Sequence, residues 1–137
     1  TVPAGVKYSR ILELTEGKLH LSGGWAVTQM IEGLKRGVHA FMPTGMHLIY
    51  TTIYRYFTTG DIEKAEALFY RLLPVLSFSN QHLDISIHFF KRLLHRQEIY
   101  STPNTRAVLL PFDAVHEQIT EALIERVMAM EAELQKG

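Results

Sequence analysis

The chain has 137 residues, enough for one domain with a core of its own. Its 14 Lys and Arg are balanced by 14 Asp and Glu, so it lacks the positive excess of a general nucleic-acid binder or a polybasic membrane binder. There is no Cys, which excludes disulfides, thiolate metal centres and thiol nucleophiles, and no apolar run approaches the ~18 residues of a membrane span.

A hydrophobic share of 47% against 20% charged marks a globular chain. Along it, Ser9 to Leu14 reads as a short helix ending near Gly17. Leu19 to Ser22 alternates and is stopped by Gly23-Gly24, which suits a strand and a tight turn. Val27, Met30, Ile31 and Leu34 recur at helical spacing, with Gly37 as terminator. Val38 to Met42 is a second strand, ended by Pro43. A helix over Met46 to Phe57 follows; Gly60 closes it, and Asp61 is placed to cap the next helix.

Beyond residue 61 only helices are expected. Ile62, Ala65, Leu68, Phe69 and Leu72 form one apolar stripe, which Pro74 kinks or ends. Leu83, Ile87, Phe90 and Leu94 form another. Tyr100 to Phe112 reads as irregular. Ile119, Ala122, Leu123, Val127, Met130 and Leu134 then face one side of a long last helix. Strand, helix, strand implies a parallel pair with a crossover helix. Two strands are too few for a stable sheet, so either the pair joins another chain or the rest of its sheet lies elsewhere.

The strings Leu21-Ser22-Gly23-Gly24-Trp25, Leu34-Lys35-Arg36-Gly37-Val38-His39-Ala40-Phe41-Met42-Pro43, Thr59-Gly60-Asp61-Ile62-Glu63-Lys64-Ala65 and Leu72-Leu73-Pro74 come in a distinctive order. In that order the chain resembles the C-terminal half of the dihydrodipicolinate synthase / N-acetylneuraminate lyase family. Lys91-Arg92-Leu93-Leu94 and Arg106 to Pro111 fit a further region of that family loosely, and Ala40 stands where it usually has Gly. The resemblance implies an α/β fold, the last two units of a (β/α)8 barrel over residues 1–60 and a three-helix C-terminal extension over 61–137. A full barrel takes about 250 residues, so the earlier strands are expected outside this chain, on a missing or companion polypeptide.

The resemblance also implies lyase chemistry on pyruvate or another 2-oxo acid, through a Schiff base on a lysine of strand six. No cofactor, metal, nucleic acid or membrane is implied. A homo-oligomer, a dimer or tetramer, and a cytoplasmic setting are expected. Lys7, in Gly5-Val6-Lys7, matches the motif around the reactive lysine superficially. Only 16 positions separate it from Gly23, against roughly 31 per strand–helix unit. The favoured register matches Thr1, Pro3, Gly5 and Lys7 to a run that follows the reactive lysine. That lysine then lies before Thr1, and Lys7 becomes an ordinary helix-side residue. What this chain contributes is pocket wall: Gly23 and Gly24 at the end of the first strand, Met42 at the end of the second, and Trp25 over the mouth. The plainer reading makes the glycines a turn and Met42 core.

Other constellations carry less. His88 and His95 stand seven positions apart, about 10 Å along a helix axis, too far for one ion. They, His82 and His116 read as solvated or hydrogen-bonded histidines. Glu121, Glu125, Glu131 and Glu133 read as a solvated helix face, and Tyr50, Tyr54, Tyr56 and Phe57 as core or subunit contact. No phosphate loop, nucleophile elbow or dinucleotide fingerprint is present. The competing reading of the whole is an autonomous small helical protein for binding or self-association, pairing its strands across a dimer.

Overall fold

The computed structural model describes residues 3–23, 25–107 and 110–136; Gly24 and the side chains of Trp25 and Ala26 lie outside that description. Six helices and a two-stranded parallel sheet follow in the order α1 (Ala4–Leu14), β1 (Ser22–Gly23), a 3₁₀ turn (Trp25–Gln29), α2 (Met30–Lys35), β2 (Ala40–Phe41), α3 (His47–Thr58), α4 (Ile62–Ser79), α5 (Leu83–Arg96) and α6 (Ala114–Lys136).

The strands are parallel, with Ser22 opposite Ala40 and Gly23 opposite Phe41. Both are shorter than the alternating runs predict. A strand exists only where a neighbour accepts its hydrogen bonds, and here each has one neighbour. A side-chain bond helps join them: the Leu21 N–H donates to His39 Nδ1 at 3.1 Å, beside a backbone bond from the His39 N–H to the Leu21 carbonyl at 2.9 Å. The His20 and His39 rings stack next to it, with centroids 4.8 Å apart.

The core is helical. Ile49 and Ile53 of α3, Leu72, Val75 and Leu76 of α4, Phe89 and Leu93 of α5, and Ile124, Val127 and Met130 of α6 are buried in one continuous cluster with Met30, Ile31 and Leu34 of α2. The core therefore runs unbroken across residue 60. α1 lies on α2, and a side chain on Gly5 would collide with Glu32 and Arg36. This helix begins at Ala4, five residues before its predicted start, directly after Pro3.

Three local expectations are corrected. Asp61 occupies the cap position of α4, yet its side chain makes no capping bond; its carboxylate accepts from Lys64 Nζ at 3.2 Å instead. Pro74 does not end α4, which runs on to Ser79. A proline deprives the carbonyl four residues earlier, here that of Tyr70, of its donor. The next carbonyl, that of Arg71, accepts the Arg126 guanidinium through Nε at 3.0 Å and Nη2 at 2.8 Å. Third, the buried stripe of α5 is Ile85, Phe89 and Leu93 with Leu94, and Leu83 is 60% exposed. The helix carries two apolar stripes, and the one bearing Phe89 faces the core. In α6 the buried line is Thr120, Ile124, Val127 and Met130, with Ile119 exposed.

Candidate functional site

Parallel strands send their carboxyl ends to one side, where the links into the following helices gather. After β2 the chain runs Met42-Pro43-Thr44-Gly45-Met46 into α3. Gly45 (φ 71°) and Met46 (φ 53°) are both left-handed. Such a conformation costs a non-glycine residue about 1 kcal/mol or more. Here it is offset by burial, since Met46 is 1% exposed. A side chain on Gly45 would come within 3.1 Å of the Phe90 ring. The loop is thus pressed against α5, and strain of this kind gathers at functional sites.

A cleft of about 190 Å³ opens where this loop meets the α4–α5 turn. Val27, Met42, Pro43, Leu83 and Phe90 give its apolar walls, and Thr44, Tyr50, Asn80 and Ser86 its polar groups. No charged side chain lines it among the described residues. Leu83 and Phe90 belong to the second apolar stripe of α5; Leu83 is exposed, whereas Phe90 is half-buried and also packs against the core. Asn80 ends α4; its amide donates to the Leu76 carbonyl at 2.8 Å, which leaves its side-chain oxygen as an acceptor. A second cavity of about 340 Å³ runs along β2 and α3, lined by Ala40, Phe41, Pro43, His47, Tyr50 and Tyr54 among others. Tyr50 borders both. It is 5% exposed, and burial pushes its phenol above the usual tyrosine range. Next to it, the Tyr54 hydroxyl donates to the His39 carbonyl at 3.1 Å.

Of the residues proposed from sequence, Met42 lines the cleft and is 71% exposed. Its side chain is therefore cleft wall and not core. Gly23 is buried at the end of β1, outside the cleft lining, and Gly24 lies outside the described residues, as does the Trp25 side chain. Lys7 is exposed on α1, away from the cleft. Sequence reasoning missed Thr44, Tyr50, Asn80, Leu83, Ser86 and Phe90. The double stripe of α5 was the signal that could have found two of them.

The histidines serve local structure. His82 Nδ1 caps α5 by accepting from the Asp84 N–H at 3.1 Å. His95 Nδ1 meets the Tyr100 carbonyl at 3.0 Å, and His116 Nδ1 meets Asp113 at 2.8 Å. The Phe112 ring is stacked between His88 and His116. The His116 backbone N–H, and behind it the imidazole, hold the Asp113 carboxyl below its usual range. Among the described residues no group of three or more metal-ligating side chains converges. The carboxylates of α6 do more than face water. Glu125 and Glu121 pair with Arg96, Glu133 pairs with Arg71 at 2.7 Å, and Gln97 donates to Glu131 at 2.6 Å. Partial burial raises Glu131 above the ordinary carboxylate range.

No protein-family model matches the chain, and no curated protein matches it. Among solved structures, its fold is similar to that of a dihydrodipicolinate synthase from Rhodopseudomonas palustris, with a TM-score of 0.81 and 16% sequence identity. The likeness is one of fold. It covers 90% of this chain and 42% of that enzyme, so the chain spans less than half of the enzyme's length. A parallel strand pair within a mostly helical chain is thus what part of an α/β synthase fold looks like. No described helix is long and apolar enough to cross a membrane.

Proposed function

We propose that this chain is the closing portion of a (β/α)8 lyase acting on pyruvate or another 2-oxo acid through a lysine Schiff base. Residues 1–60 supply the last two β/α units and 61–137 the helical extension. One observation carries the reading: a parallel strand pair whose second strand leads directly into a cleft, inside a fold similar over 90% of its length to part of a dihydrodipicolinate synthase. Active sites of such barrels lie at the carboxyl ends of the strands.

In this chemistry a lysine amine attacks the ketone carbon of the 2-oxo acid and water leaves. The resulting iminium draws electrons from the neighbouring carbon, so that a carbon–carbon bond forms or breaks or a hydroxyl departs. The reaction uses no other electron sink and hence no cofactor. The lysine belongs to a strand that precedes Thr1, on the remainder of the barrel. Of the pocket wall expected from sequence, Met42 closes the cleft after β2, and Gly23, at the end of β1, stands beside the part of the pocket that the preceding strands would complete. The whole assembly works as a homo-oligomer on a small-molecule substrate.

The test is intact-mass analysis under denaturing conditions after treatment with pyruvate and borohydride, which fixes a Schiff base as a stable amine. The expected result is no adduct on the 137-residue chain and an adduct on the polypeptide that carries the preceding strands. An adduct at Lys7 overturns the assignment of the lysine. No adduct anywhere, in a preparation containing the preceding strands, overturns the lyase reading.

A further inference from the structure

The carboxylates of α6 are not alike. Glu121 and Glu125 pair with Arg96, and Glu133 pairs with Arg71. Glu131 is half-buried and forms no ion pair among the described residues; its hydrogen-bond partner is a neutral donor, the Gln97 amide, at 2.6 Å. A carboxylate withdrawn from water without a counter-charge is penalised. Burial accordingly holds this one above the usual range.

Glu131 lies on a cavity of about 340 Å³ where the start of α3 meets the ends of α5 and α6. Met46, Leu48, Ile99 and Met128 give its apolar lining, and Gln97 and Gln135 are neutral. Among the described residues no Lys or Arg lines it, and His47, exposed at the head of α3, acts on Glu131 through space without pairing with it. Two helix carboxyl ends and one amino end converge there, so the helix ends add a net negative potential. The cavity shares no lining residue with the cleft after β2.

A single uncompensated negative charge among thioether and aliphatic walls matches a compact positive charge on an apolar body. A primary ammonium brings three N–H donors to a carboxylate that Gln97 leaves with free lone pairs. A hard divalent ion needs six or more oxygen ligands, and no three metal-ligating side chains converge among the described residues. A zwitterion fits less well, since its carboxylate would be desolvated without a Lys or Arg to meet it.

We propose that this cavity binds the ammonium end of a small alkylamine, with Glu131 as its counter-charge and Met46, Ile99 and Met128 around its hydrocarbon. The site stands apart from the strand ends and goes beyond the lyase reading, so neither depends on the other.

The test is an NMR titration of the full chain with n-butylammonium, beside n-butanol, which has the carbon chain without the charge, and 6-aminohexanoate, which adds a carboxylate. n-Butylammonium is expected to give saturable shifts at Ile99, Met128 and the Glu131 carboxyl, and the other two to bind more weakly. Glu131→Gln keeps an acceptor for Gln97 and removes the charge; it is expected to weaken n-butylammonium binding about tenfold, as loss of a hydrogen bond to a charged group does. Glu131→Asp, which draws the carboxylate back by one methylene, is the second variant, with a smaller loss. Glu133→Gln, on the same helix but paired with Arg71, is expected to leave the affinity unchanged. Absence of saturable shifts at these residues overturns the proposal, as does unchanged affinity in Glu131→Gln. Equal losses in Glu133→Gln and Glu131→Gln do so too, by making the attraction one of general surface charge. Binding of n-butanol or 6-aminohexanoate as tight as that of n-butylammonium also overturns it.

Discussion

Burial raises the Tyr50 phenol above its ordinary value of 10.0, and the sign of the consequence follows from proton counting. Above pH 10 the unfolded chain gives up this proton and the folded chain keeps it. The unfolded state then binds fewer protons, and stability falls as pH rises; below pH 10 the residue contributes no slope. Tyr50→Phe is therefore expected to flatten the alkaline limb of a denaturation series taken from about pH 9 to 11. At pH 7 it is expected to leave stability unchanged or slightly higher, because no intramolecular hydrogen bond is lost. A loss of more than about 1 kcal/mol at pH 7 would mean that the hydroxyl has a partner within the fold. Gly33 tests the junction of helix and strand. It is buried in α2, and a Cβ there would stand 2.9 Å from the Phe41 ring of β2. Gly33→Val is expected to cost about 1–3 kcal/mol through overpacking, read by urea denaturation, with the shift concentrated in β2 resonances. Neither residue was legible as a site from sequence. Tyr50 sits among aromatics at helical spacing, which signal core whether or not a hydroxyl is left over.

At the scale of the elements, the helices were readable and their phases less so. A stripe at 3.6-residue spacing tells that a helix has an apolar face. α5 carries two, and only packing decides which one is buried. Phe89 meets Phe78 of α4 edge-on in the core and is 0% exposed, whereas Leu83 is 60% exposed beside the cleft. Phe89→Ala is expected to cost about 3–5 kcal/mol, and Leu83→Ala within about 0.5 kcal/mol, both by chemical denaturation; equal losses would contradict the assigned phase. Pro74 shows a second limit. The rule that proline breaks a helix holds for the helix alone. Here a side chain from α6 takes up a carbonyl at the disturbed turn, and no local pattern announces it. Arg126→Ala is expected to destabilise by about 1 kcal/mol, and Arg126→Lys to restore only part, since an ammonium cannot place two N–H groups on the Arg71 carbonyl as the guanidinium does. The strands were placed within a few residues and overextended, because their length depends on partners the pattern does not contain.

For the whole molecule, the order of elements foretold both the parallel pair and its insufficiency. The fold likeness to part of a larger synthase accounts for it: two strands make a sheet only as members of a larger one. Cleft and core divide the chain's apolar surface between them. The inner stripes of α3 to α6 build the core, and Leu83 and Phe90 of α5 with the β2–α3 loop border the cleft. On the proposed reading, stability lies in the helical core, while the strand pair is the open margin of a sheet completed by strands outside this chain. Native-state amide hydrogen exchange on the isolated chain tests this most directly. Amides within α3 and α4, around Ile53 and Leu72, are expected to exchange only through global unfolding. Those of Ser22, Gly23, Ala40 and Phe41 are expected to exchange roughly 100-fold faster or more, through local opening. Strand amides as slow as those of the helices would contradict the claim, and would make the two strands part of a self-sufficient fold.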